Sequence, residues 1–212
     1  MPSQWGGRTF GGLCSGFVLL VETPAIPRKR VIRKPVPCYN QKDKSGFGEE
    51  KCMIRIRPYK ASDVDTILSW CQDEKAFYQW TAGILGNYPI TQNEFCFVES
   101  LMPFTAFDER EIVGFFTLRN PNKSLDELRF GFVIVNPHKR GKGYGKAMLR
   151  LGLKFVFEIY GAKKVSLGVF ENNLPAYYCY KAVGFSDVVL DTTEKYRVLG
   201  EEWKCRELIM EK

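Results

Sequence analysis

The sequence predicts an α+β fold, with a mixed, mostly antiparallel sheet of about seven strands and helices on both faces. Apolar runs of strand length alternate with amphipathic helical stretches in the order β-α-α-β-β-β-α-β-α-β-β. The chain has 212 residues, 45% of them hydrophobic, which suffices for one core but not for two comfortable domains. We therefore expect one domain, residues 53–212, preceded by a tail.

The predicted strands are short apolar or alternating runs that end at turn residues. They span residues 53–57, 104–107, 112–118, 128–135, 164–170, 185–190 and 203–210. The turn at residues 108–110 joins the second and third strands in a hairpin. The polar stretch between residues 190 and 203 is expected to be an excursion without a strand.

Apolar residues at helical spacing predict four helices. They span residues 61–71, 92–102, 142–160 and 174–183. Residues 80–89, rich in glycine and aromatic residues, are expected to form a loop. Asn173 and Gly184 are a suitable N-cap and C-cap for the last helix. The apolar stripe of the third helix comprises Tyr144, Ala147, Met148, Leu151, Phe155 and Ile159.

The basic excess of the chain lies mostly in residues 1–52. This segment has nine Lys and Arg against four Asp and Glu, a net charge of +5, whereas residues 53–212 carry 22 against 20, a net charge of +2. Prolines and charged runs predict a disordered tail, and the alternative is a misassigned start. Because the domain is nearly balanced in charge, we expect no nucleic-acid partner.

Cysteine and histidine usage predicts a cytoplasmic protein without a metal. The seven cysteines include no Cys-x-x-Cys pair, and His138 is the single histidine. An odd number of cysteines without a convincing signal peptide is typical of reduced thiols. The apolar stretch at residues 13–21 is far shorter than the roughly 20 residues that cross a bilayer, so we expect no membrane partner.

Residues 139–146, Lys-Arg-Gly-Lys-Gly-Tyr-Gly-Lys, are the most informative stretch. Glycines at alternate positions allow successive backbone N–H groups to converge on an anion, and the N-terminus of the following helix points to the same place. A Walker loop or a dinucleotide fingerprint starting at Gly141 would need glycine at position 146, which is Lys146. The loop therefore predicts a phosphate site of another kind.

Two motifs resemble those of one known family. Arg140, Gly143 and Gly145 form the pattern Arg-x-x-Gly-x-Gly, which resembles the pyrophosphate-binding motif of the GNAT-superfamily N-acetyltransferases. The segment Asn-x-x-Ala-x-x-x-Tyr-x-x-x-Gly-Phe at residues 173–185 resembles a second element of that family, in the expected order. Residues 68–74, with Trp80 downstream, are similar to the branches that acetylate ribosomal proteins and aminoglycosides.

The resemblance implies a GNAT fold and transfer of the acetyl group of acetyl-CoA to an amine of a small molecule, a protein N-terminus or a lysine. It places the cofactor at the glycine loop and along the preceding strand, where that strand splays from the next, parallel strand. The implied cofactor-binding residues are Val133, Ile134, Val135, Arg140, Gly141, Lys142, Gly143, Tyr144, Gly145, Lys146, Asn173 and Tyr180. The resemblance also allows a homodimer.

The resemblance implies that Tyr180 is the proton donor to the departing thiolate. A phenol with a pKa of about 10 is protonated at neutral pH and can serve as this acid. The general base is less defined, because Arg129 and Gly168 stand where relatives carry glutamate. Glu127, on the same strand face as Arg129, is the expected substitute; the alternatives are a solvated surface carboxylate and a water relay.

Two tryptophans are candidates for binding the acceptor. Trp70 and Trp80 lie in the region that forms one wall of the substrate cleft in the relatives, where an aromatic face can bind a cationic amine. The alternative is that both belong to the core. Two other functions also stay open: an enzyme that uses another acyl-CoA, such as succinyl-CoA, and an acyl-CoA-binding regulatory module without turnover.

Overall fold

The computed structural model describes residues 54–97, 99–109, 111–189 and 194–212, so the predicted tail at residues 1–52 lies outside the described residues. Its strands are β1 (Ile54–Pro58), β2 (Leu101–Asp108), β3 (Glu111–Arg119), β4 (Glu127–Val135), β5 (Lys164–Phe170), β6 (Ser186–Asp187), β7 (Glu194–Val198) and β8 (Glu201–Glu211). Its α-helices are α1 (Val64–Leu68), α2 (Glu74–Thr81), α3 (Tyr144–Lys154) and α4 (Leu174–Val183).

The eight described strands form one sheet in the order β1-β2-β3-β4-β5-β8-β6, and β7 also pairs with β8. Every pair is antiparallel except β4 with β5, which is parallel. The α+β prediction of a mixed, mostly antiparallel sheet is therefore confirmed. The eight strands exceed the predicted number by one.

Helices cover both faces of the sheet. On the face that we call the α3 face, Met148 of α3 and Tyr180 of α4 pack with Phe116 of β3. On the opposite face, called the α1 face, Ile67 of α1 packs with Phe115. Adjacent strand residues point to opposite faces, so β3 contributes to both cores. No helix in the described part of the chain is long and apolar enough to cross a membrane.

Strand β7 corrects the prediction of an excursion without a strand. It pairs with β8 from Glu194 opposite Cys205 to Val198 opposite Glu201. Among the residues of β7 only Val198 is buried. The pairing with β8 stabilises this strand without the alternation of apolar residues that sequence patterns detect.

The helix predicted after Thr91 is wrong. Thr91 and Glu94 form a capped turn, in which the backbone N–H and hydroxyl of Thr91 donate to Glu94 Oε2 at 2.8 and 2.7 Å. Residues 95–97 have no regular secondary structure, and Phe95 and Phe97 pack edge to face at a centroid distance of 4.8 Å. Helix α2 instead precedes this region, so Trp80 is helical and not part of a loop.

The third predicted helix is confirmed with a change in its winding. Helix α3 continues into a π-helical turn, Phe155–Tyr160, and Gly161 ends it with φ of +85°. The wider turn shifts the face that points inward. Val156 is consequently fully buried, whereas Ile159, predicted in the apolar stripe, is 70% exposed.

Candidate active site

The two parallel strands separate in the middle of the sheet. The ladder between β4 and β5 covers three residue pairs, and Arg129 opposite Ser166 is the last. Strand β4 continues to Val135 and β5 to Phe170 beyond this point. The edge of β4 that faces β5 therefore carries backbone groups outside this ladder, which can pair with an extended ligand.

A β-bulge lies where the strands separate. The register of β4 against β3 shifts between the pairs Thr117–Gly131 and Phe115–Ile134, and Phe132 has φ of +46°. A non-glycine residue in this left-handed region is uncommon and often marks a functional site. The bulge places Phe132 with the cluster of the α1 face, while Val133 packs on the α3 face. It thus re-aims β4 just before the glycine loop.

The glycine loop has the geometry of an anion cradle. Gly141 and Gly143 have φ of +76° and +84°, and no heavy atom would lie within 4 Å of a Cβ added at either position. Gly143 is also the N-cap of α3. The first N–H groups of a helix have no partner within it, so those of the first turn of α3 face the open side of the loop.

Other residues hold this loop in place. Asn136 Oδ1 accepts a hydrogen bond from His138 N at 3.0 Å, and exposed Arg140 donates from Nε to Val135 O at 3.2 Å. The hydroxyl of Tyr144 donates to Asp108 Oδ2 at 2.5 Å. The side chain of Tyr144 is thus engaged with β2.

The N-terminus of α3 lies tightly against α4 and β4. A Cβ on Gly145 would lie 3.3 Å from Cys179 Sγ and 3.6 Å from Val135 Cγ2. A larger residue at position 145 would push these elements apart. The structure therefore brings together the loop, the end of β4 and α4, the three regions that carry the predicted cofactor-binding residues.

Helix α4 has the predicted caps. Asn173 Oδ1 accepts from Ala176 N at 3.4 Å, and Gly184 ends the helix with φ of +118°. The side chain of Asn173 therefore caps α4 through a hydrogen bond within the protein.

Tyr180 is buried in the cluster of the α3 face, which also includes Val133 and Val135, and its ring centroid lies 6.0 Å from that of Phe185. No other described residue forms a hydrogen bond with its hydroxyl. Burial, together with the charge of Cys179, raises the pKa of Tyr180. The phenol is therefore protonated over the physiological pH range.

The structure places Glu127 away from the loop, at the start of β4, in the closed part of the parallel pair. Its Oε1 accepts from Ser166 Oγ at 2.7 Å, and its Oε2 accepts from Lys164 Nζ at 3.1 Å. Both oxygens are therefore engaged in the folded protein. Glu127 stays a prediction as the general base.

The two candidate acceptor-binding tryptophans are both buried. Trp70 is 5% exposed and Trp80 is 9% exposed, and both pack in the cluster of the α1 face. Trp80 stacks on Phe95 at a centroid distance of 5.9 Å. These positions favour the alternative that they belong to the core, although Trp80 Nε1 is buried without a hydrogen-bond partner.

Sequence reasoning missed an ion pair that spans three strands on the α1 face. Arg129 of β4 donates both Nη atoms to the carboxylate of Glu207 on β8, with Nη2 to Oε2 at 2.8 Å. Between them lies exposed Gly168 of β5, where an added Cβ would be 3.0 Å from Arg129 Nη2. Burial lowers the pKa of Arg129, but the hydrogen bond and charge of Glu207 outweigh it and raise the pKa.

The two positions without the expected glutamate are thus structurally linked. The guanidinium of Arg129 occupies space that a side chain at position 168 would fill. A signal was present in the sequence, because an arginine inside the apolar run of β4 needs a counterion. The sequence did not reveal that the counterion is Glu207.

The splayed strands, the open glycine loop and the buried tyrosine define a class of protein, the transferases that bind an acyl-CoA between two parallel strands. Residues 66–185 match the model of the acetyltransferase (GNAT) family, and the chain belongs to this family. The resemblance read from the two motifs is therefore confirmed, and the protein is an acetyl-CoA-dependent N-acetyltransferase.

Named relatives support this assignment. The chain is 31% identical over 148 residues to an N-alpha-acetyltransferase of Sulfurisphaera tokodaii, covering 63% of this chain and 81% of that protein. It is 25% identical over 114 residues to a spermine/spermidine N(1)-acetyltransferase of Bacillus subtilis, covering 45% of this chain and 75% of the relative.

A solved structure has the same fold. The spermidine N-acetyltransferase of Vibrio cholerae in complex with CoA and spermine superposes with a TM-score of 0.64, covering 74% of this chain and 95% of that chain. The two sequences are 17% identical in this comparison, so the likeness concerns the fold alone.

Proposed function

We propose that acetyl-CoA binds with its pyrophosphate in the glycine loop and its pantetheine arm along β4. One observation carries this proposal: β4 leaves the ladder with β5 directly before an open loop that begins α3. Backbone N–H groups from Gly141 to Lys146 and the charge of Arg140 supply donors for the phosphates. Residues Val133 to Val135 supply the strand edge.

The acyl transfer needs a donor for the sulfur. A neutral amine attacks the thioester carbonyl carbon, the C–S bond breaks and its electron pair goes to the sulfur. We assign the hydroxyl of Tyr180 as the proton donor to that sulfur, so that CoA leaves as a thiol. The nitrogen loses one proton as the amide forms, and water returns a proton to Tyr180. The position of Tyr180 in the α3 face, with a hydroxyl that forms no hydrogen bond with another described residue, supports this role.

The acceptor in this proposal is a primary amine of a small molecule, a protein N-terminus or a lysine. The general base is Glu127 or a chain of water molecules; because Lys164 and Ser166 engage Glu127, the geometry favours water. A homodimer, a cytoplasmic location and the absence of metal, nucleic-acid and membrane partners stay predictions from the sequence.

A thiol-release assay tests the proposal. The purified full-length chain is incubated with acetyl-CoA and a panel of primary amines, and succinyl-CoA is run in parallel. Release of free thiol that depends on both acetyl-CoA and an amine is the expected result. Release only with succinyl-CoA would support the other acyl-CoA, and tight acetyl-CoA binding by calorimetry without thiol release would support a regulatory module.

A further inference from the structure

A second arginine lies beside the Arg129–Glu207 pair without a partner of its own. Arg119 of β3 is directly opposite Arg129 in the β3–β4 ladder, on the α1 face of the sheet. No other described residue forms a hydrogen bond or ion pair with it. Arg129, by contrast, has both Nη atoms on Glu207. Two guanidinium groups therefore lie opposite each other on the α1 face, and the carboxylate of Glu207 forms hydrogen bonds with Arg129 and not with Arg119.

The environment of Arg119 is unfavourable for its charge. The residue is partly buried, and burial followed by repulsion from Arg129 lowers its pKa. The attractions of Glu207, Tyr196 and Glu127 are smaller. A desolvated guanidinium without hydrogen-bond partners destabilises a protein, and a bound anion relieves this because charge-assisted hydrogen bonds are strong. Arg119 therefore has unused binding capacity for an anion.

Arg119 lies next to the point where β4 and β5 separate. Arg119 faces Arg129, and Arg129 belongs to the last pair of the β4–β5 ladder. Neighbouring strands are about 4.8 Å apart, so an arginine side chain on β3 is long enough to reach across β4 to this point. Gly131 carries no side chain there, and the guanidinium of Arg129 lies beside Gly168.

A second polar side chain on the same face of the sheet also lacks a hydrogen-bond partner. Thr117, two residues before Arg119 and on the same face, is fully buried, and its Oγ1 has no hydrogen-bond partner. A Cβ on Gly131 would lie 3.0 Å from this oxygen. The unpartnered hydroxyl thus lies between Arg119 and the bulge at Phe132. An unsatisfied buried hydroxyl is uncommon, and a ligand near the bulge would account for it.

We propose that the acceptor molecule carries a carboxylate as well as its amine, and that Arg119 binds this carboxylate. Arg119 then determines specificity, and Arg129, held by Glu207, is a positioning residue beside it. This inference rests on the proposed function, because the amine must reach the acetyl group near the bulge. Such a carboxylate can come from two sources: the carboxylate of a free amino acid or the acidic side chain of a peptide. Acceptors with positive charge alone, such as polyamines, are disfavoured beside Arg119.

The test compares acceptors that differ only in one carboxylate. The full-length protein is assayed by thiol release with saturating acetyl-CoA and three pairs: phenylalanine against phenethylamine, 4-aminobutyrate against butylamine, and a short peptide with an N-terminal Glu against the same peptide with Gln. We expect a higher kcat/KM for the carboxylate member of at least one pair, by roughly 10- to 100-fold. The first two pairs report a free amino acid and the third reports a peptide.

Variants of Arg119 identify the residue responsible. R119Q should remove the preference, mainly by raising KM for the carboxylate acceptor, while the activity with the paired acceptor that lacks the carboxylate does not fall. R119K keeps the charge and should retain part of the preference. R150Q, at an exposed position on α3, is the matched control and should behave as the wild type.

The outcomes separate this inference from the proposed function. Thiol release with amines but no preference for carboxylate acceptors in the wild type overturns the inference alone. The same preference in R119Q as in the wild type also overturns it. Absence of thiol release with every amine overturns the proposed function and this inference together.

Discussion

At the scale of single residues, Tyr180 differs from the two other tyrosines of α4 in its surroundings. Tyr178 is 64% exposed, and the hydroxyl of Tyr177 donates to Asp187 Oδ2 at 3.2 Å. Tyr180 is buried, and no described residue forms a hydrogen bond with its hydroxyl. Tyr178, on the same helix, is therefore a matched control for substitutions at Tyr180.

The first prediction concerns removal of the Tyr180 hydroxyl. Tyr180→Phe keeps the ring and its packing against Phe185 but removes the proposed proton donor. The kcat should therefore fall by about 100-fold, while the Kd for acetyl-CoA hardly changes. Thiol release and calorimetry measure the two quantities. Tyr178→Phe should have normal activity. Because burial raises the pKa of Tyr180, its ionisation should not lower the wild-type kcat at any pH below about 10.

Normal turnover in Tyr180→Phe would show that Tyr180 only packs in the core. Equal losses in Tyr180→Phe and Tyr178→Phe would indicate structural damage to α4. Either result would remove Tyr180 from the proposed mechanism.

Asp63 is a buried residue whose charge stabilises the start of α1. It is 2% exposed and accepts hydrogen bonds from both Nη atoms of Arg57 at 2.7 and 2.8 Å and from Thr105 Oγ1 at 2.7 Å. Burial raises the pKa of Asp63, but these bonds, with that from Lys60 N, outweigh it and lower the pKa. The ionised carboxylate therefore links the start of α1 to β1 and β2.

The second prediction is that Asp63→Asn lowers the free energy of unfolding by about 3 kcal/mol at pH 7, because it leaves Arg57 without its counterion. The pKa of Asp63 is lower in the folded state, so its contribution is present above the unfolded pKa of about 3.9 and is lost as pH falls through the folded value. Urea unfolding at pH 7 and in acid measures both effects.

The exposed Asp126, paired with Lys163 at 3.2 Å, provides the matched control. Asp126→Asn should change the stability by less than about 1 kcal/mol. A similar small loss in Asp63→Asn would show that the buried ion pair contributes little net stability.

At the scale of elements, two local changes of period shape the site. The π-helical turn after α3 selects Val156 for the core, and the bulge at Phe132 shifts the alternation of β4. After the bulge, Val133 and Val135 pack on the α3 face. Both changes occur in the elements that flank the glycine loop, and both alter which side chains pack in the core of the α3 face.

The third prediction concerns the start of α3. Gly143→Asp places a negative charge at the loop, so acetyl-CoA binding measured by calorimetry should be lost while the fold is retained. Gly200→Asp is the control, since Gly200 has a similar φ of +77° in the turn between β7 and β8 and equally open space around its Cα. Both variants should have similar Tm values, because both place Asp in the left-handed region. Unchanged acetyl-CoA affinity in Gly143→Asp would contradict the assignment of the loop.

At the scale of the whole molecule, the sheet separates the residues of the two proposed binding sites. The glycine loop and Tyr180 belong with the helices of the α3 face, whereas Arg119 and the Arg129–Glu207 pair lie on the α1 face. The gap between β4 and β5 connects the two faces. This arrangement allows a cofactor and an acceptor to approach the same strand edge from opposite sides.

The fourth prediction is that removing residues 1–52 leaves catalysis intact. The predicted domain starts at Met53, and both family motifs lie far downstream. The truncated chain, checked for folding by its thermal transition, should have the kcat and KM of the full-length chain. A large loss of kcat in a folded 53–212 chain would mean that the tail completes the active site.

The sequence by itself determined the mixed sheet, the glycine loop and the helix that carries Tyr180. These features depend on residues a few positions apart: the apolar alternation of β1, the Arg140–Gly143–Gly145 spacing, and the caps of α4. Local backbone sterics and helix-end hydrogen bonding set such patterns, so they are legible without long-range contacts.

The tertiary structure alone decided how the α1 face is built. Glu207 is 78 positions from Arg129 in the chain, yet it neutralises Arg129, and Gly168 makes room between them. The same packing buries Trp70 and Trp80 and leaves Arg119 unpaired. Strand β7 forms only because β8 supplies a partner. These outcomes depend on strand order and register, and the contacts that set them join residues far apart in the chain, which no local pattern encodes.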